Sequence, residues 1–207
     1  MHTGRLFLLI LMFFTAFAGM PMKATATTVD SAVQHIENLG EQALSTLRQS
    51  GIPLAEREAA FATILREGFD LPLIAKFVLG KYWRQAGKDQ RQDYLEAFSE
   101  YVITTYARRL GGFSGQSFSV VGTKVAGEKK DVVVTTRIEQ GGGAPIQAGW
   151  RVRQINGKPK IIDVLVEGVS MVVTQRQEFG SVARRSGVEG LVQVLRAQTE
   201  RLSASAG

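Results

Sequence analysis

Few residues in this sequence are of types that do chemistry, and they do not gather. Its histidines are His2 and His35. A nucleophilic triad needs an imidazole beside a hydroxyl or thiol, with a carboxylate to orient it. His35 instead stands alone on a helical stretch, the usual setting of a surface histidine. The cysteine count is 0 and no His-x-x-x-His spacing occurs, so neither a thiolate nucleophile nor a zinc set is available. Gly141-Gly142-Gly143 lacks the Lys-Ser/Thr that completes a phosphate loop, and reads as a flexible connection. Asp163 and Glu167, near strand ends, have the right type for an acid–base pair, but the same placement suits capping contacts. Asp163 with Tyr82 or Tyr106 is the set that an enzyme of cone-shaped α+β fold would use on an apolar substrate. These residues converge on no catalytic centre, no metal site and no cofactor site.

The surplus lies in apolar surface and in the elements that carry it. Val33, Ile36, Leu39, Ala43, Leu44 and Leu47 fall on one face of a first helix, capped by Asp30 or Ser31 and stopped by Gly51. Pro53 suits the first turn of a second helix, whose stripe is Phe61, Ile64, Leu65, Gly68 and Phe69. Asp70 caps a short third helix, Leu71 to Leu79, that is apolar on nearly every side and ends at Gly80. A longer helix from about Asp89 to Leu110 presents Tyr94, Leu95, Phe98, Tyr101, Val102 and Tyr106.

The period then changes to two. Strands are predicted at Phe118 to Val125, around Val132, Val134 and Ile138, around Ile146 to Val152, and around Ile162, Val164 and Val166. Apolar faces coincide if Val152 opposes Ile162 and Trp150 opposes Val164. A plain two-residue Asn156-Gly157 turn would not allow that pairing, so a bulged three- or five-residue connection is expected there. Val169, Met171 and Val173 continue a strand-like alternation. Thr174-x-x-Gln177 resembles a capping box opening a helix, and Gly187 separates it from a last helix through Leu202. The order predicts an α+β fold, with a four-stranded antiparallel curved sheet and helices packed on one face. Such a sheet either packs solid on its helices, giving an adaptor with a filled core, or curves away and encloses an apolar pocket. Periodicity does not separate the two.

Arg5 followed by the apolar run Leu6 to Ala18 and by Ala24-Thr25-Ala26 reads as a cleaved secretory signal over residues 1–26. Residues 27–207 are then expected as one exported domain. With no cysteine, that domain gains nothing from disulfides, carries no lipidated cysteine and has no stable membrane anchor. The net charge is +6, of which Arg5 and Lys23 leave with the leader. Export argues against nucleic acid as the target of this basic surface; anionic headgroups or acidic proteins are the alternatives to plain solvation.

The block Phe69-Asp70-Leu71-Pro72-Leu73-Ile74-Ala75-Lys76-Phe77-Val78-Leu79-Gly80-Lys81-Tyr82-Trp83-Arg84 is similar to the signature segment of the MlaC, or toluene-tolerance, family. Gln90-Arg91 with Phe98 and Tyr106 continues it, as do Trp150-x-Val152, Lys160 to Met171, and Arg176-x-x-Phe179. The resemblance spans about residues 30–200. It implies a periplasmic carrier that holds phospholipid acyl chains between sheet and helices. Such a carrier shuttles lipid between an outer-membrane lipoprotein complex and an inner-membrane ABC transporter with its substrate-binding subunit. A related subgroup is associated with hopanoids. The cargo is a lipid and no cofactor is implied.

Carried onto this chain, the resemblance places Leu73, Phe77, Val78, Tyr82 and Trp83 on the helical wall of the pocket. It places Trp150, Val152, Ile162, Val164 and Val166 on the sheet wall, with Phe69, Phe98, Val102, Tyr106, Val134 and Met171 completing the lipid-binding set. Charge introduced at Val164 or Val152 is expected to abolish lipid binding. Gly111 to Gly115 and Gly141 to Gly143 fall outside the resemblance.

Overall fold

The computed structural model describes residues 22–49, 51–111, 117–128, 131–140 and 143–204. Most of the expected leader, residues 1–21, lies outside them, as do most of the two glycine-rich stretches. The backbone of Ala24-Thr25-Ala26 falls in the first turns of α1 (Met22–Arg48). There follow α2 (Leu54–Gly68), α3 (Leu71–Leu79), α4 (Lys81–Gln85) and α5 (Lys88–Gly111). Strands β1 (Ser117–Ala126), β2 (Asp131–Gln140), β3 (Gly143–Ile155), β4 (Lys158–Val166) and β5 (Val169–Ser170) come next, and α6 (Met171–Ala204) closes the chain. The fold is α+β. Its antiparallel sheet has five strands in the order β1-β2-β3-β4-β5, one more than the four expected.

The fifth strand arises from local turn chemistry. Glu167 and Gly168 both take positive φ (48° and 80°), as do Asn156 and Gly157 (51° and 76°). Two adjacent residues in that region make the primed two-residue turn that suits strand twist. The chain therefore doubles back twice without a longer loop, pairing Ile155 with Lys158 and Val166 with Val169.

This corrects the expected β3–β4 connection. The Asn156-Gly157 turn is a plain two-residue one, and the bulge lies inside the strands instead. Trp150 opposes Val164, as the apolar pattern requires, but Val152 opposes Ile161 rather than Ile162. Ile162 is the extra residue. The bulge reconciles a short turn with matched apolar faces, and it makes Ile161 the buried residue of the pair.

The start of α6 is a second correction. The helix opens at Met171 rather than at Thr174. The Ser170 hydroxyl accepts the Val173 N–H at 3.1 Å, and the Asp163 carboxylate accepts the Val172 N–H at 3.2 Å. These satisfy amide donors that a helix start leaves without partners, so Ser170 caps the helix before the expected capping box is reached. Gly187 does interrupt α6, at φ 70° and ψ −177°.

Among the described residues, three apolar clusters hold the molecule together. One joins α3, α5 and α6 around Val78, Leu79, Tyr94, Phe98, Leu191 and Leu195. Its rings meet edge to face, Phe98 with Phe179 at 6.2 Å and Tyr101 with Phe179 at 5.9 Å between centroids. A second packs Ala32 and Ile36 of α1 on Val132, Val134, Val152 and Ile161 of the sheet. A third sets Phe61 and Leu65 of α2 on Leu71, Ile103 and Ala107. The apolar face of α1 is thus divided: Ile36 serves the sheet, while Ala43 and Leu47 pack against the cluster built on α2.

Candidate functional site

Among the described residues, Phe69 is the one side chain that packs against all three clusters. Its position is set by backbone. It forms a parallel bridge with Ile161 of β4, and the Asp70 N–H donates to the Ile161 carbonyl at 3.0 Å. One residue of strand-like chain between α2 and α3 thereby covers part of the β4 edge, whose other end pairs with β5. Asp70 then accepts the Leu73 N–H at 2.9 Å and opens α3 as predicted. The helical block and the sheet block that carry the resemblance meet at this joint.

The expected lipid-binding residues divide by burial. Val78, Phe98, Val134 and Val152 are fully buried in the packed clusters, so in this arrangement they touch protein rather than a ligand. Phe77 is 48% exposed and does not wall an interior; the Arg176 guanidinium lies over its ring at 4.9 Å. The helical stripe is wider than its buried seam, which leaves Phe77 on the outer edge. The remaining expected residues are half-buried. These are Phe69, Leu73, Tyr82, Trp83, Val102 and Tyr106 on the helical side, and Trp150, Ile162, Val164, Val166 and Met171 at or beside the sheet. Half-buried apolar side chains are those with surface left for a ligand to cover.

The polar end of Trp150 is satisfied. Trp150 Nε1 donates to Thr136 Oγ1 at 2.8 Å, and that hydroxyl in turn donates to the Ala148 carbonyl at 3.3 Å. Trp83 lies under the Arg91 guanidinium at 5.4 Å, and Arg91 Nε donates to the Trp83 carbonyl at 2.8 Å. Burial pushes the Tyr106 phenol above its ordinary pKa, with Arg109 opposing the shift.

The candidate catalytic residues are engaged elsewhere. Asp163 takes the Ser170 hydroxyl at 2.7 Å as well as the Val172 N–H. Glu167 accepts the Gln147 N–H at 2.8 Å. Both are structural contacts between neighbouring elements, the capping alternative of the sequence reading.

His35 has a role that its sequence context does not signal. Its Nε2 lies 3.1 Å from the Gly68 carbonyl, and Lys160 Nζ donates to the Glu67 carbonyl. The last turn of α2, just before Phe69, is thus held from α1 and from β4. Burial chiefly lowers the His35 pKa below the ordinary value, the Gly68 bond works against this, and nearby Lys160 adds to it. The unfolded chain therefore takes up the proton first. Stability should fall as pH drops from about 6.5 towards the depressed folded-state pKa. Urea midpoints at pH 7.5 and 5.5 check this. A His35→Gln protein should lose less over that interval than the parent, and equal losses would remove His35 as the cause.

Among the described residues, two clefts open on the helical layer. One, of about 390 Å³, lies beside Gly80 between α3 and α6, with Lys81, Arg176 and Arg184 around it. A Cβ on Gly80 would stand 3.0 Å from the Arg176 guanidinium, and its φ of +59° favours glycine besides. The other, of about 610 Å³, lies between the C-terminal halves of α5 and α6. Among the described residues no group of His, Asp and Glu side chains is placed to hold a metal ion, and no helix is long and apolar enough to cross a membrane.

Fold and site together define an α+β protein in which an antiparallel sheet meets a helical layer at the Phe69 joint, with half-buried apolar side chains on both. The family model for "MlaC protein" matches residues 37–197, and the chain belongs to the MlaC family. Among curated relatives, it is 27% identical over 118 residues to the intermembrane phospholipid transport system binding protein MlaC of Haemophilus influenzae, covering 56% of this chain and 55% of that protein. It is 26% identical over 129 residues to the toluene tolerance protein ttg2D of Pseudomonas putida, covering 62% and 60%. Each match spans little more than half the relative's length. Among solved structures, the phospholipid-binding protein of Ralstonia solanacearum, in complex with a phospholipid, shares the fold. Its TM-score is 0.73 at 24% identity, covering 84% of this chain and 99% of that one.

Proposed function

We propose that this protein is a periplasmic lipid carrier and not an enzyme. It is exported on the leader at residues 1–26, and residues 27–207 form one lipid-binding domain. It holds phospholipid acyl chains along the seam around Phe69, Trp150 and Val164. It passes them between an outer-membrane lipoprotein complex and an inner-membrane ABC transporter. Membership of the MlaC family carries the reading. It is supported by relatives named for phospholipid transport and toluene tolerance, and by a shared fold with a protein crystallised on a phospholipid. The half-buried apolar residues on both sides of the joint are the physical counterpart.

Burying each methylene of a ligand is worth about 0.8 kcal/mol. Two acyl chains of ordinary length therefore supply ample affinity with little help from the head alcohol, and the carrier should tolerate many headgroups. Mass spectrometry of the purified protein, native and then after organic extraction, tests the proposal. The expected result is one two-chain phospholipid per protein with a spread of headgroups. A hopanoid would redirect the reading to the related subgroup. A protein that stays empty after incubation with phospholipid vesicles would overturn it.

A further inference from the structure

We propose that the cleft between the C-terminal halves of α5 and α6 binds a phosphate group, either free or carried by a lipid. Arg108 and Arg109 of α5 and Arg201 of α6 line it, together with Tyr101, Thr105 and Gln198. No carboxylate stands among its described lining residues.

The helix ends account for only part of this charge. Each C-terminus presents about half a negative charge. Two such ends balance roughly one of the two guanidinium charges that Arg109 and Arg201 bring, and leave a surplus of about one. Arg108 already donates to the Leu202 carbonyl, which ties α6 to α5 and fixes one wall. Arg109 lies over the Tyr106 ring at 5.8 Å, and Arg201 Nε donates to the Ala197 carbonyl at 3.1 Å. Among the described residues, neither Arg109 nor Arg201 forms an ion pair. Planar guanidinium forks on two facing helices match the several acceptor oxygens of a phosphate better than a single carboxylate. Thr105, 7% exposed, lines the cleft, and among the described residues its buried hydroxyl has no hydrogen-bond partner.

The site recognises a feature common to all phospholipids, so it agrees with broad tolerance of the head alcohol. Only its lipid-borne arm rests on the carrier reading. The test titrates the full-length mature protein with inorganic phosphate, following arginine side-chain resonances. A parallel titration compares a short-chain phosphatidylglycerol with the diacylglycerol of the same chains. The variant is Arg109→Gln with Arg201→Gln; both side chains are exposed, and thermal unfolding checks that the fold is kept.

Phosphate binding that weakens roughly tenfold or more in the variant supports the site with a free anion. A preference for phosphatidylglycerol over diacylglycerol that falls by a similar factor supports it with a lipid headgroup. If the variant changes neither, the proposal is overturned, while continued lipid uptake leaves the carrier reading standing. If neither lipid is taken up by the parent protein, the carrier reading fails and the phosphate titration still decides the cleft.

Discussion

A Val164→Glu protein is expected to fold and to emerge from purification without bound lipid. Val164 is half-buried opposite Trp150, on the sheet side of the seam. In an empty protein the new carboxylate can reach water. With acyl chains laid over it, the charge would have to be desolvated with no partner. That costs about 3 kcal/mol or more, which is roughly a hundredfold or greater loss of affinity. Extraction and mass spectrometry of the variant read the effect directly. Val121→Glu is the control, because Val121 is 53% exposed. It should keep its lipid. A folded Val164→Glu protein with stoichiometric lipid would mean that the cargo lies elsewhere. The companion substitution Val152→Arg is no longer a clean test. Val152 is fully buried under α1, so arginine there is expected to unfold the protein rather than to empty it.

A large loss of stability is expected from Arg153→Leu. Arg153 grips Asp131 with a fork of two bonds, Nε to Oδ1 at 2.7 Å and Nη2 to Oδ2 at 2.8 Å. The Asp131 side chain is only 4% exposed. The bond to Asp131 is also the main cause holding the Arg153 guanidinium more firmly protonated than usual. Removing the arginine alone strands a buried carboxylate, at a cost of about 3–5 kcal/mol. Replacing both partners with leucine removes the stranded charge, so the double variant should lose less than the single one. Urea unfolding of the two variants measures the difference. If Arg153→Leu costs under about 1 kcal/mol, the carboxylate finds water in the native protein and the pair is a surface contact.

Much of this architecture was legible in local pattern. The 3.6-residue stripes marked α1, α2, α3 and α5, and alternation marked four strands. Asp70, Gly80 and Gly187 punctuated the chain where the structure breaks it. The α+β class followed from the order of those elements, and the antiparallel sheet from their alternation. The blocks of resemblance were read from adjacent residues in the same way. Errors came where two local signals competed. Asn156-Gly157 asked for a tight turn and the apolar pattern for a matched face. A bulge at Ile162 satisfied both, at a place neither signal marked. Ser170 outcompeted Thr174 as a cap because Asp163, on another strand, supported it.

The sequence by itself determined most of the elements and their class, because propensity, periodicity and turn preference act over a few neighbouring residues. The tertiary structure alone decided which apolar residues are core and which remain open. Val134 and Trp150 belong to the same alternating face, yet one is fully covered and the other half open. That outcome depends on what packs opposite, and the partner is remote in sequence. The same holds for Phe69 against Ile161, for His35 at the end of α2, and for the arginines that α5 and α6 bring to one cleft. Burial is a property of facing surfaces, and a linear pattern names only one of the two faces.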